Sequence, residues 1–268
     1  MKRNILITTA LTAALLFLAT PLLAADTLPV DEIINRANNA AYYAGDDGRS
    51  NVTMTITDNQ GRTRNREFAI LRRDTANGGD QQFYVYFERP SDVRKMAFMV
   101  QKHIDRDDDR WLYLPALDLV KRIAASDKRT SFVGSHFFYE DVSGRGVDED
   151  LHELIETTDD HYLIKNTPKD PGTVEFSSYT VRIDRTTFMP VYAEYLDKNG
   201  VKYREVEALK IEEIDGHPTV TKSRVRDLAG GGETVSEFKN IKYDIGLKEE
   251  IFTERYLRRP PREVRSRR

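Results

Sequence analysis

Five histidines, His103, His136, His152, His161 and His217, and a cluster of aspartates are the residues of this chain whose types could do chemistry. The histidines are scattered, with no pair at metal-ligand spacing and no HExxH motif. Ser135, His136 and Asp141 are the residue types of a nucleophilic triad. Adjacent side chains rarely face each other, however, and no G-x-S-x-G elbow presents the serine. Asp105, Asp107, Asp108 and Asp109 could ligate calcium, but they lack the glycine and distal glutamate of an EF-hand loop and read as an exposed turn. Gly144-x-Gly146 has no third glycine and is not a nucleotide loop. The sequence therefore predicts a protein that is not an enzyme, with no catalytic residues, no metal and no cofactor.

The residues that remain suit binding. Residues 109–142 hold the only tryptophan, Trp111, a proline-fixed turn at Pro115, and the aromatics Phe132, Phe137, Phe138 and Tyr139. These aromatics follow neither a helical nor a strand period, whereas apolar residues alternate well elsewhere. Such a segment reads as a lid lying across something. Arg122 and Arg129 stand near Glu140 and Asp141, and could pair with them internally or with the phosphate of a lipid.

The elements around that lid can be taken in order. Residues 1–25 form a targeting segment, with Lys2 and Arg3, an apolar run and Ala24-Ala25 as cleavage site. With no cysteine the chain has neither disulfides nor a site for lipid modification, so a soluble periplasmic protein is expected. Residues 28–44 place Val30, Ile33, Ile34, Ala37, Ala41 and Ala44 on one helical stripe, between Pro29 at the start and Gly45 at the stop. From Asn51 the period becomes two, and strand-like runs joined by short turns continue to Tyr243, with a short helix expected over 148–155. The predicted fold is mainly β with a few helices: a curled antiparallel meander of about a dozen strands, forming an unclosed half-barrel capped by helices and the lid.

A curled sheet with large apolar side chains on its inner face makes a cavity, although an ordinary packed β core would show the same alternation. The expected lining is Met54, Phe68, Phe83, Phe87, Met96, Phe98, Trp111, Tyr113, Phe132, Phe137 and Phe138. These side chains suit a long apolar ligand: at about 0.8 kcal/mol per buried methylene, a dozen methylenes contribute roughly 10 kcal/mol before ordering costs.

The runs Trp111-Leu112-Tyr113-Leu114-Pro115-Ala116, Lys121-Arg122-Ile123, Phe132-Val133-Gly134-Ser135 and Phe137-Phe138-Tyr139-Glu140-Asp141 resemble the outer-membrane lipoprotein-sorting (LolA-like) proteins. The likeness is to the periplasmic branch found beside RND-type lipid exporters. It covers the mature chain in layout and residues 109–142 in motif; His136 and the arginine-rich end depart from it. The resemblance implies a periplasmic carrier that holds a lipid or an acylated protein in the half-barrel and shuttles it between inner and outer membrane, with an inner-membrane RND-type transporter as partner. A sensor or regulatory module on the same fold, acting through a protein partner, is the alternative.

The domain expected is 26–257, followed by a basic, disordered tail over 258–268. The whole chain carries −3; loss of the signal peptide leaves −5. The tail RRPPREVRSRR carries +5, so −10 falls on the body. A basic tail could contact anionic membrane or an acidic partner, whereas nucleic acid is not expected as a partner in this compartment.

Overall fold

The computed structural model describes residues 28–76 and 78–265, so the expected signal peptide lies outside the described residues. Among the described residues no helix is long and apolar enough to cross a membrane. Helix α1 (Val30–Tyr42) forms where the helical stripe predicted it, with Pro29 at its N-cap. Its C-terminal carbonyls would otherwise be orphans. Arg72 caps the last of them, donating from Nη1 to Tyr42 O at 2.5 Å, and its Nη2 donates to Gly45 O, just beyond the helix, at 2.7 Å.

Thirteen strands follow: β1 (Asp47–Asp58), β2 (Thr63–Asp74), β3 (Gln81–Arg89), β4 (Ala97–Lys102), β5 (Asp109–Leu114), β6 (Leu119–Ile123), β7 (Asp150–Thr157), β8 (His161–Pro168), β9 (Phe176–Asp184), β10 (Pro190–Asp197), β11 (Lys202–Ile214), β12 (His217–Asp227) and β13 (Gly232–Tyr243). They make one antiparallel sheet that is not closed, in the order β6-β5-β4-β3-β2-β1-β13-β12-β11-β10-β9-β8-β7. Two local meanders are thus joined in the middle by β1 on β13, with Val52 opposite Phe238 and Ile56 opposite Thr234. The short helix expected over 148–155 is only a 3-10 turn, Val147–Glu149, followed by edge strand β7. Its residues alternate, with His152 and Leu154 partly covered and Leu151, Glu153 and Ile155 exposed, which is a strand pattern.

β6 and β7 are consecutive in the chain yet stand at opposite edges of the sheet. The residues between them, 124–149, therefore have to cross the concave face, and they carry α2 (Tyr139–Ser143) as they do so. Phe132 is their deepest point, with ring centroids 6.3 Å from Phe68, 5.8 Å from Phe87 and 5.4 Å from Phe98. α1 covers the other half of the concave face, where Ile33 and Ala37 meet Tyr162, Ile164 and Ile183.

The outer face of β2–β5 is also covered. After β13 the chain folds back over Ala69, Leu71, Tyr84, Ala97 and Met99, burying Leu247, Ile251, Phe252, Leu257 and Val264 on them. Asp47 holds the start of this return by accepting from Ile245 N at 2.7 Å, and Tyr84 donates to Tyr256 O at 2.7 Å. The expectation of a disordered tail from Arg258 is corrected here. α3 (Glu254–Arg258) and a 3-10 turn (Arg262–Val264) are packed as far as Val264, which is fully buried. Arg258, Arg259, Arg262 and Arg265 stay at the surface while Leu257, Pro261 and Val264 supply the contact. Leu257→Ala should lower stability by about 2–5 kcal/mol, the range for a buried leucine, as read from urea midpoints at pH 7. A change below about 0.5 kcal/mol would mean that the return segment is only draped on the sheet.

Candidate functional site

Between α1, the crossing segment and the inner face of the sheet lies a cavity of about 550 Å³, within the usual range for small-molecule sites. One side is apolar: Val52, Met54, Phe68, Ile70, Phe83, Val85, Phe132 and Phe137 line it. The opposite side is polar, with Tyr42, Arg129, Glu140, Asp141, Arg145, Tyr179 and Tyr195.

Glu140, on α2, is the centre of the polar side and is almost fully buried. Its Oε2 accepts from Arg129 Nη1 at 2.5 Å. Oε1 lies 3.2 Å from Lys128 Nζ and 3.5 Å from Arg145 Nη1 without an aligned hydrogen bond. Each of these cations has a second anchor. Arg129 forks onto Glu175, Nε and Nη2 both at 2.8 Å from its carboxylate oxygens. Arg145 Nε donates to Asp150 Oδ2 at 2.9 Å, and Lys128 Nζ to Glu149 Oε2 at 2.7 Å. A second tie runs from Arg204 Nη2 on β11 to Asp141 Oδ2 at 2.5 Å, while Asp141 also accepts from Phe138 N at 2.7 Å. Burial alone would raise the Glu140 pKa, but Arg129, Lys128 and Arg145 outweigh it and hold the carboxyl below its ordinary value.

The sequence-predicted residues divide between the two faces. Met54, Phe68, Phe83, Phe132 and Phe137 line the cavity, while Phe87, Met96 and Phe98 belong to the apolar cluster behind it. Trp111 and Tyr113 are corrections. Pairing of β5 on β4 sets Trp111 opposite Met99 and Tyr113 opposite Ala97, so both pack on the outer face under the return segment. Phe138 is held between guanidinium groups, its ring 4.4 Å from Arg204 Cζ and 5.0 Å from Arg129 Cζ. Arg129, Glu140 and Asp141 form ion pairs as the internal alternative required. Arg122 does not join them: it is bound to Asp109 at the sheet edge. Lys128, Arg145, Glu175 and Arg204 escaped prediction; for Glu175 and Arg204 nothing local marks partners 46 and 63 residues away.

The supposed triad residues go separate ways. Ser135 Oγ donates to Phe132 O at 2.7 Å, and His136 Nδ1 meets Thr234 Oγ1 at 2.8 Å. In the aspartate turn, Asp108 and Asp109 are bound to arginines and to His103.

The unclosed antiparallel sheet, with helices and a crossing segment on its concave face, is similar in fold to LolA-like solved structures. A putative outer membrane lipoprotein-sorting protein domain from Vibrio parahaemolyticus superposes with TM-score 0.77 at 24% identity, over 85% of this chain and 97% of that one. A LolA superfamily protein from Nitrosomonas europaea does so with TM-score 0.67 at 19% identity, over 86% of this chain and 100% of that one. A DUF1329 family protein from Desulfovibrio piger reaches TM-score 0.78 at 30% identity, over 86% of this chain and 100% of that one. A family model described as "Uncharacterized protein" matches residues 79–259. No curated protein matches the chain. The chain belongs to the DUF1329 family, on a LolA-like fold.

Because the folded pKa of Glu140 lies below its unfolded value, the network stabilises fully above the ordinary value of 4.5 and loses this contribution as the pH falls through the folded value. Glu140→Gln should therefore cost about 3–5 kcal/mol at pH 7 by leaving buried cations without their counter-ion. The gap to wild type should narrow as urea midpoints are followed from pH 7 to pH 3. A gap that stays constant over that range would remove Glu140 from the network's centre.

Proposed function

We propose that this protein is a periplasmic carrier that binds a lipid, or the acyl chain of an acylated protein, in the half-barrel cavity and passes it between the inner and outer membranes. The observation that carries the reading is the lining: an apolar wall of Val, Met, Ile and Phe faces a cavity that the crossing segment borders. Contacts of this kind favour a long aliphatic group, because burial contributes per unit area and asks for no fixed hydrogen bonds. The lipoprotein-sorting relatives of the same fold support the reading. Donor and acceptor are membranes or membrane proteins on this view. The likeness of residues 109–142 to the exporter-associated branch makes an inner-membrane RND-type transporter the donor or acceptor we propose.

Purification without detergent, organic extraction and mass spectrometry of the extract should recover lipid in a fixed ratio to protein. Phe137 borders the cavity and is only partly buried. Phe137→Asp should therefore cut retained lipid by about tenfold or more while leaving the thermal midpoint within a few degrees of wild type. Protein that is lipid-free from the start, or a variant with normal lipid content, would overturn the carrier reading. A tight complex with a periplasmic protein and an empty cavity would replace it with the sensor alternative.

A further inference from the structure

The charges that line the cavity are already matched inside the protein. Arg72 is held by Asp74 and by the carbonyls ending α1. Arg129 has Glu140 and Glu175, Arg145 has Glu149 and Asp150, and Asp141 has Arg204. Arg49 contributes from the outward-facing set of β1, with its Nη2 on Asn51 and its position opposite Leu71 of the outer cluster. Arg49 keeps a buried Nε without a partner; none of the other groups is free to receive an ionic head without surrendering a partner, and an abandoned carboxylate would stay buried.

The lining side chains left without a hydrogen-bond partner among the described residues are neutral. Asn38 and Tyr42 stand four residues apart on α1, on the stripe that faces the cavity. The Tyr42 ring presses on the backbone of Gly144, where an added Cβ would come within 2.5 Å of it, so its position is fixed. Tyr195 is fixed from the sheet side, its ring stacked on Tyr179 at 4.7 Å. Ser236 Oγ is buried and unpartnered on β13. Tyr42 and Tyr195 share the same charged neighbours, Glu140, Asp141 and Arg204, which places their hydroxyls together at the polar side. A buried hydroxyl or amide without a partner is costly and is normally satisfied by a ligand or water.

We infer that the ligand is an uncharged amphiphile whose head carries hydroxyl groups, bound with its chain on the Val52–Phe83 wall and its head hydrogen-bonded by Tyr42, Tyr195 and Asn38. This rests on the carrier reading and narrows it: the paired charges select against anionic and cationic heads, and the neutral donors and acceptors select for an alcohol. Burial holds both phenols above their ordinary pKa, so at neutral pH each keeps its proton to donate and can also accept.

The test uses five ligands that share one oleoyl or oleyl chain: monooleoylglycerol, methyl oleate, oleate, oleoyl-lysophosphatidylglycerol and oleylamine. Each is titrated into delipidated full-length protein below its aggregation threshold and read by displacement of a fluorescent acyl probe. Monooleoylglycerol is expected to bind about tenfold or more tighter than the other four. Tyr42→Phe and Tyr195→Phe together should bring it to the level of methyl oleate while leaving methyl oleate itself unchanged, which separates loss of hydrogen bonds from loss of fold. Equal binding by all five, tighter binding of either anionic ligand, or an equal loss for every ligand in the double variant overturns this inference and leaves the carrier reading standing. Failure of all five to displace the probe, or of the probe to bind, overturns both.

Discussion

One topological constraint governs this molecule: two strands adjacent in sequence, β6 and β7, lie at opposite ends of a thirteen-strand sheet. Laid flat, twelve strand spacings of about 4.8 Å would separate them by roughly 58 Å. The 124–149 connection includes two 3-10 turns and α2, which are far shorter per residue than extended chain. The Ser131–Phe138 bridge also closes a hairpin within it, which leaves a path of roughly 50 Å, so it reaches because the sheet curls and brings its edges together. The curl makes the concavity, and the same connection lies across it. Container and cover thus come from a single topological fact.

A crossing segment of this kind must be held on two very different surfaces. Toward β1–β5 it inserts Phe132 among phenylalanines, and burial holds it. Toward β7–β11 it meets Glu175, Asp150 and Arg204, and ions hold it. A buried carboxylate needs several cations to remain charged, and Glu140 has three within 3.5 Å. The arrangement adds direction as well as stability, because an ion pair is satisfied in few geometries while an apolar contact tolerates sliding.

Much of this architecture was readable in advance. Alternation marked the strands of the meander, and the α1 stripe with its proline start and glycine stop gave the helix to within two residues at each end. The break in period at Phe132, Phe137 and Phe138 marked the crossing segment. Which face of a strand turns inward was less accessible. Trp111 and Tyr113 are as aromatic as any cavity residue, and only the register of β5 on β4 sends them outward with Met99. The C-terminal arginines hid a docking segment for a similar reason: composition is dominated by charge, while the contact is made by Leu257, Pro261 and Val264 among the arginines. Residues such as Glu175 and Arg204 had no local signature, since their meaning depends on a partner that only the folded chain supplies.

The outer cover of β2–β5 has a consequence for the order of events in making the protein. The strands it protects come from the first half of the chain, but Leu247, Phe252, Leu257 and Val264 are synthesised last. In a chain that is not yet complete, the N-terminal sheet therefore lacks its covering residues. In that state Tyr84, Met99 and Trp111 present a bare apolar surface beside an unpaired β1 edge, which only the last strand, β13, can close. A chain cut short before β13 and Leu247 would leave that surface and that edge exposed, the two features that make a fragment adhesive.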